Sequence, residues 1–434
     1  MKSKSKKQLI LIELNEINFD YVKKYLAAQP NLLPNFKKLF TKFDEKKTYS
    51  EKEYDLLEPW IQWVSAHTDL EYKDHKVFRL GDIINHKHKQ IFETVEEKGY
   101  EVGCVSPMNT KNNLKKPAYF IPDPWTDTES SDGFWSKNVH RLIRQTVNDN
   151  SSQKITFSSI IIIILALLRF AKFSNYFLYI KLALTSLGKP WRKALFLDLL
   201  VNDIHIGLLK SGKPNFSTVF LNAGAHIQHH YFHNSPFSSD KANNPDWYIK
   251  KHFDPFFEML KVYDSIIGQY LNQDNEVIIS TGLSQRPYNE IKYYYRLKDH
   301  HKFIEKLGIK FKEIFPRMTR DFLITFNNND EMNSAIDILS QIKCKKTGLR
   351  LFEEIDTRDS SLFITLTYPF EITKDTDFIS NVSMNLHDDV VFVAIKNGEH
   401  HDEGKIYLKE EKFPRKVDGN IHIKELYNIV NSYF

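Results

Sequence analysis

Cysteine is nearly absent from this sequence: 434 residues carry only Cys104 and Cys344. Two thiols cannot build a disulfide framework, and unpaired cysteines fit a reducing compartment. Strong charge of one sign is missing too. Against 60 basic residues stand 55 acidic ones, a net +5 to which the opening MKSKSKK contributes, so nothing in the charge points to a nucleic-acid partner. No run reaches the roughly 20 apolar residues that a bilayer-spanning helix needs. The nearest, Ile155–Leu184, is two shorter apolar blocks parted by Arg169 and Lys172. QLILIEL, after the basic start, is interrupted by Glu13 and lacks the small-residue cleavage site of a secretory signal. Together these absences predict a cytoplasmic protein. Internal repeats and low-complexity linkers are also lacking.

What is present is a chain that can bury a core, with 41% hydrophobic and 14% aromatic residues. Leu9–Leu14 is almost continuously apolar, as a strand buried on both faces should be, and runs into a helical pattern. NLLPNFKKLF and EPWIQWVSAHT read as helices; IFETVEEKGYEVGCV reads as helix, glycine stop and strand. Pro117–Asp149 reads as an irregular excursion. FSTVFL and EVIIS are strands around the amphipathic FFEMLKVYDSIIGQYLN. This alternation predicts an α/β fold, doubly wound, with a mainly parallel sheet flanked by helices. The expected organisation is residues 1–150 as the first part of the core and 151–212 as an apolar helical lid or membrane-surface insertion. Residues 213–288 follow as the central core with a histidine loop, 289–375 as a smaller α+β insertion, and 376–434 as the last part of the core.

AHIQHHYFHNS places four histidines just after a predicted strand. Strand ends of one parallel sheet open on the same edge, where ligands gather. His226 and His230 are four apart, so a helix would turn both to one side, and His400 could arrive from another strand end. A polar strand end explains the same residues without a metal; His229 and His233 read as neighbours rather than ligands.

Here the order of segments resembles the alkaline phosphatase superfamily, especially its type I phosphodiesterase/nucleotide pyrophosphatase-like branch. LILIELNEIN is similar to the strand ending in that family's first acidic ligand, with Glu13 in the acid's place. LPNFKKLF resembles its LPNF..L helix, and EPWIQWVSAHTD its nucleophile helix. LNAGAHIQHHYF resembles the acidic-x-x-x-His segment, with His226 and His230 in the two ligand places, and GEHHDEGKIYL the terminal histidine motif, which points to His400. The likeness spans about Leu9–Asn109, Phe216–Gln285 and Val390–Leu408. Two departures stand out. Thr281-Gly282 replaces the usual Asp-His of a second metal site, and the nucleophile position falls at Pro59 beside Glu58, with no hydroxyl.

The resemblance implies one divalent ion, zinc before manganese, held by His226, His230 and His400, with Glu58 and Glu13 as catalytic acids or bases in a one-step transfer. Ser65, Thr48 and Ser50 are alternative hydroxyls. Trp60, Trp63, Asp123 and Asp127 could bind a sugar, and Arg286 an anionic group. The expected activity is therefore metal-dependent hydrolysis or transfer at a phosphoester, less readily a sulfoester, of a glycan or lipid-linked intermediate. A bacterial surface-polysaccharide pathway at the inner face of the plasma membrane is the expected setting. Two other classes remain open: an inactive binding or assembly subunit, and a metal-dependent glycosyltransferase using a nucleotide sugar.

Overall fold

The computed structural model describes residues 7–148, 156–238, 242–317, 320–380 and 383–434. Most of MKSKSKK, Lys154 and the start of the apolar segment at Ile155 lie outside the described residues. The chain forms two compact units. One comprises the N-terminal part through Ser238, Lys251–Pro287 and Gly398–Phe434; the other comprises Ser239–Lys250 and Tyr288–Asn397.

The first unit is built on an eight-stranded sheet. Its labelled strands are β1 (Leu9–Leu14), β2 (Asp44–Tyr49), β3 (Val102–Val105), β4 (Tyr119–Ile121), β5 (Phe216–Leu221) and β6 (Glu276–Ser280). Two C-terminal strands, Glu403–Leu408 and Ile421–His422, complete it. The order across the sheet is Ile421–His422, β2, Glu403–Leu408, β6, β1, β5, β3, β4. From β6 to β4 every pair is parallel. Glu403–Leu408 alone runs the other way, between β6 and β2. The fold class is thus α/β with a mainly parallel sheet, as the alternating pattern predicted.

β1 sits at the middle, every residue buried, because helices cover both faces. On one side lie α3 (Pro59–Thr68) and the helices Ile91–Glu97 and Glu425–Tyr433, packed around Trp63, Phe92 and Leu426. On the other lie α1 (Phe19–Ala28), α2 (Pro34–Lys42), Trp191–Gly212, Ala223–Tyr231 and Pro255–Leu271. The apolar segment forms two helices, Phe157–Phe170 and Tyr176–Leu184.

One reading needs correction. The stretch expected to be irregular holds β4 and the helix Phe134–Asn148. Val139, Leu142 and Ile143 form a buried stripe on that helix, a signal masked by the proline- and serine-rich residues before it. β4 is three residues long, too short to show any alternation.

The second unit has its own core. Four antiparallel strands run in the order Glu354–Arg358, Ser361–Thr365, Asp321–Thr325, Glu313–Pro316. Phe322, Ile324, Leu362 and Ile364 point inward from it.

Candidate metal centre at the carboxyl edge of the sheet

The C-terminal ends of β1, β5 and β6 lie on one edge, and the reversed strand Glu403–Leu408 begins there. Residues after the first three, and before the last, therefore converge. Two residues beyond β1, Glu16 turns with a left-handed φ of 60°, a sparsely populated conformation for a side-chain-bearing residue. The turn is held from both sides. Glu16 N donates to Thr281 O at 3.3 Å, and Gln228 Nε2 donates to Glu16 O at 2.8 Å.

The helix Ala223–Tyr231 rises from β5 with its N-terminus capped by Asp198. That carboxylate accepts from Asn222 N at 3.3 Å, Ala223 N at 2.8 Å and Tyr263 OH at 2.6 Å. Gly224 permits the close fit to the β1 turn: a Cβ there would lie 2.1 Å from Ile17 Cδ1. His229, two turns along, then meets the Glu16 carboxylate.

His400 comes from the strand Val390–His401, which pairs with Ser284–Leu297. Its Nε2 lies 3.3 Å from Glu16 Oε2 and 3.3 Å from His229 Nε2, while His229 Nε2 lies 3.0 Å from Glu16 Oε2. Around this triangle, Gln285 Nε2 donates to Glu16 Oε2 and Asn15 Nδ2 donates to Glu16 Oε1 at 3.0 Å. Trp63 Nε1 donates to Asn15 Oδ1 at 2.9 Å. On its far side His400 presents Nδ1 to Glu58 Oε2 at 3.6 Å. Glu58 is the N-cap residue of α3 yet makes no side-chain cap.

The electrostatics follow from these contacts. Burial alone would raise the Glu16 carboxyl, but His229 and His400 override it and hold Glu16 well below the usual carboxylate range. Burial likewise disfavours charge on His400, yet Glu16 and Glu58 outweigh it and lift the imidazole to about 9.

Among the described residues, Glu16, His229 and His400 are the one group of three His, Cys, Asp or Glu ligand atoms lying within 4.8 Å of one another. The donor set fits a divalent ion. Two imidazoles and one carboxylate form a known catalytic zinc shell, and ligands about 2.0–2.1 Å from a tetrahedral ion stand about 3.3 Å apart. The observed edges of 3.0, 3.3 and 3.3 Å have that size.

The expected ligands distribute differently. His400 belongs to the group; His226 and His230 do not. Helical residues advance by about 100°, so Ala225, Gln228 and His229 share the face toward Glu16 while His226 and His230 share the next. Their rings pack against each other at 4.6 Å. Burial lowers His226 to about 4 and holds His230 well below the usual imidazole value. Glu13 points into the interior: inside β1 it bonds His67 Nε2 at 2.8 Å, and His67 Nδ1 lies 3.2 Å from Thr110 Oγ1.

Asp123 is a buried turn former, accepting from Asn109 N, Trp125 N and Thr126 N, and Asp127 is an exposed partner of Arg144. Trp60 donates to Phe78 O. Trp63 is fully buried and reaches the site only through Asn15. Ser65 is buried against His75, Thr48 lies in β2 and Ser50 faces Asp402 O, so none joins the group. Arg286 pairs with Glu399 at 2.7 Å. It lines a cavity of about 290 Å³ with Asn18, Asp20, Lys24, Glu403 and Lys405.

Sequence reasoning missed Glu16 and His229. Glu16 was legible as the acid just past a buried strand; His229 carried no signal beyond belonging to the histidine cluster.

The fold and site define an α/β protein with a carboxylate–bis-histidine group at the carboxyl edge of its sheet. No protein-family model matches the sequence, and no curated protein matches it. Among solved structures it is similar to phosphonoacetate hydrolase from Sinorhizobium meliloti 1021 in complex with phosphonoformate. That match has 10% identity, 99% of this chain and 96% of the other, and a TM-score of 0.42. Murine ectonucleotide pyrophosphatase/phosphodiesterase 5 is similar at 12% identity, 98% and 94% coverage, and a TM-score of 0.42. The human protein of that name is similar at 12%, 98% and 94%, with 0.40. Likenesses this weak carry no weight here; the fold assignment stands on the sheet itself.

Proposed function

We propose that this protein is a metal-dependent phosphoester hydrolase or transferase of the alkaline phosphatase-like kind, with Glu16, His229 and His400 holding one divalent ion, zinc before manganese. The observation that supports it is the triangle of ligand atoms at the carboxyl edge, with the Glu58 carboxylate 3.6 Å from the far nitrogen of His400. A divalent ion there would polarise an ester oxygen and acidify a bound water or hydroxyl.

The chain's own residues would do the rest. Glu58 would take the proton of the attacking water or acceptor hydroxyl as that oxygen bonds to phosphorus, while the ester O–P bond breaks and the leaving oxygen takes a proton from solvent, in keeping with a one-step reaction where Pro59 supplies no nucleophile. Gln285 and Asn15 fix the Glu16 carboxylate. The substrate class proposed is a phosphoester of a glycan or lipid-linked intermediate, although Trp60, Trp63, Asp123 and Asp127 make their bonds away from the group.

A second reading has one observation in its favour. His400 lies 3.3 Å from Glu16 and 3.6 Å from Glu58, so an imidazolium there would ion-pair with carboxylates on both sides, as a structural cluster in a binding subunit would. Elemental analysis of protein purified without a histidine tag separates the two readings. Metal near one equivalent, lost in His229→Ala/His400→Ala and kept in His226→Ala/His230→Ala, supports the centre. Metal-free protein that takes up neither zinc nor manganese leaves the structural cluster. Turnover of an aryl phosphodiester by the loaded enzyme then tests the reaction.

A further inference from the structure

The two apolar helices present an outward stripe that the fold does not cover. On Phe157–Phe170 the exposed residues are Phe157, Ile160, Ile161, Ile164, Leu165 and Leu168. Their spacing of three and four marks one helical face. Phe177, Ile180 and Leu184 make an exposed face on Tyr176–Leu184, and Phe173 and Leu187, before and after it, are 91% and 93% exposed.

The opposite faces are spent on packing. Ala166, Tyr179 and Leu182 are buried, and both helices pack on Trp191–Gly212. The connection between them is pinned rather than loose. Asp203, buried on the long helix, accepts from Lys172 N at 3.2 Å, Asn175 Nδ2 at 3.0 Å and Tyr179 OH at 3.0 Å. Phe170 lies so close to the long helix that a Cβ on Gly207 would stand 2.2 Å from its ring. These apolar faces are therefore held in place, and exposed apolar residues gathered in this way mark interaction surfaces.

Charge indicates what covers them. From Ile155 to Leu197 the sequence has six basic residues and no acidic one. Arg169, Lys172, Lys181 and Lys193 are exposed. A second copy docking by the same face would set two basic surfaces together, whereas an anionic lipid surface complements both the charge and the apolar stripe. At about 1.5 Å per residue the longer helix spans roughly 21 Å, short of a hydrocarbon core of about 30 Å. No helix among the described residues is long and apolar enough to cross a membrane.

We propose that Phe157–Leu187 is a docking face for an anionic bilayer, lying in the interface with its apolar stripe in the acyl boundary and its basic residues among the headgroups. This goes beyond the metal centre and does not depend on it.

The test is co-sedimentation of the full chain with vesicles of phosphatidylcholine alone or with added phosphatidylglycerol, at low and high salt. Binding should favour the anionic vesicles by about tenfold or more and weaken with salt. Leu168→Glu/Phe173→Glu/Phe177→Glu should abolish it without change in circular dichroism. Arg169→Gln/Lys172→Gln/Lys181→Gln, which leaves the apolar stripe intact, should weaken only the anionic preference. Failure of the wild type to bind either vesicle overturns the proposal. So does a concentration-dependent dimer that the triple glutamate variant dissociates, which assigns the face to a second copy.

Discussion

Glu58 Oε2 stands 3.6 Å from Nδ1 of His400, whose other nitrogen faces Glu16 at 3.3 Å. One imidazole thus links a potential ligand carboxylate to a carboxylate that no metal would have to hold. The proposed chemistry divides along that line.

Glu58→Gln keeps the shape and removes the base. In the metal-loaded enzyme it should lower kcat for an aryl phosphodiester by about 10²–10⁴-fold, with metal content and KM little changed. An equal loss of bound metal would show instead that Glu58 acts by holding His400.

Gln285 donates to Glu16 Oε2 and to Ala225 O, so it orients the carboxylate without being a ligand. Gln285→Ala should weaken metal affinity by about 10–100-fold, as loss of an orienting partner does. Gly398→Ala should act similarly from the backbone, because its Cβ would meet Gln285 Oε1 at 2.1 Å and Gln228 O at 2.8 Å. Competition with a fluorescent zinc chelator measures both.

Asp198 caps the helix that carries His229 and is pushed up to about 6 by burial. Asp198→Ala leaves the amides of Asn222 and Ala223 without that acceptor and should cost about 1–3 kcal/mol in denaturant unfolding. The wild-type carboxyl also has a pH signature. Its folded pKa exceeds the unfolded value near 3.9, so its contribution is full below that value and fades as pH rises through about 6. The variant should lack that component.

Acid should act oppositely through His205. Its imidazole is buried, bonded to Tyr270 OH and Ser217 Oγ at 2.7 Å each, and burial lowers it to about 3. The unfolded chain takes up the proton first, so stability from this residue is present above the unfolded value near 6.5. Stability should fall by about 1.4 kcal/mol per pH unit as the pH drops from there toward 3. His205→Gln should flatten that limb in pH-dependent unfolding curves, at some cost in stability at neutral pH.

Local periodicity is written in the sequence because each residue's neighbours along the chain suffice to express it. Continuous burial in Leu9–Leu14 follows from its apolar run, α3 and Pro255–Leu271 from their helical spacing, and the sheet's parallel character from the alternation of strands and helices. The two apolar blocks at 155–184 were legible as helices for the same reason. Their outward direction was not, since it depends on which face packs against Trp191–Gly212.

The site shows the same division more sharply. That Glu16 and His229 reach the carboxyl edge follows from their places after β1 and β5, whereas His400, expected at another strand end, lies within Val390–His401 just before the reversed strand. Which histidines and acids meet there was decided by tertiary geometry. A left-handed turn brings Glu16 rather than Glu13 to the edge. The phase of a helix starting at Ala223 and capped by Asp198 turns His229 toward Glu16 and His226 and His230 aside. The sequence by itself determined most of the strands and helices and the edge on which these acids and histidines gather. Only the tertiary structure chose the atoms, because one residue of strand alternation or 100° of helix rotation separates a ligand from its neighbour.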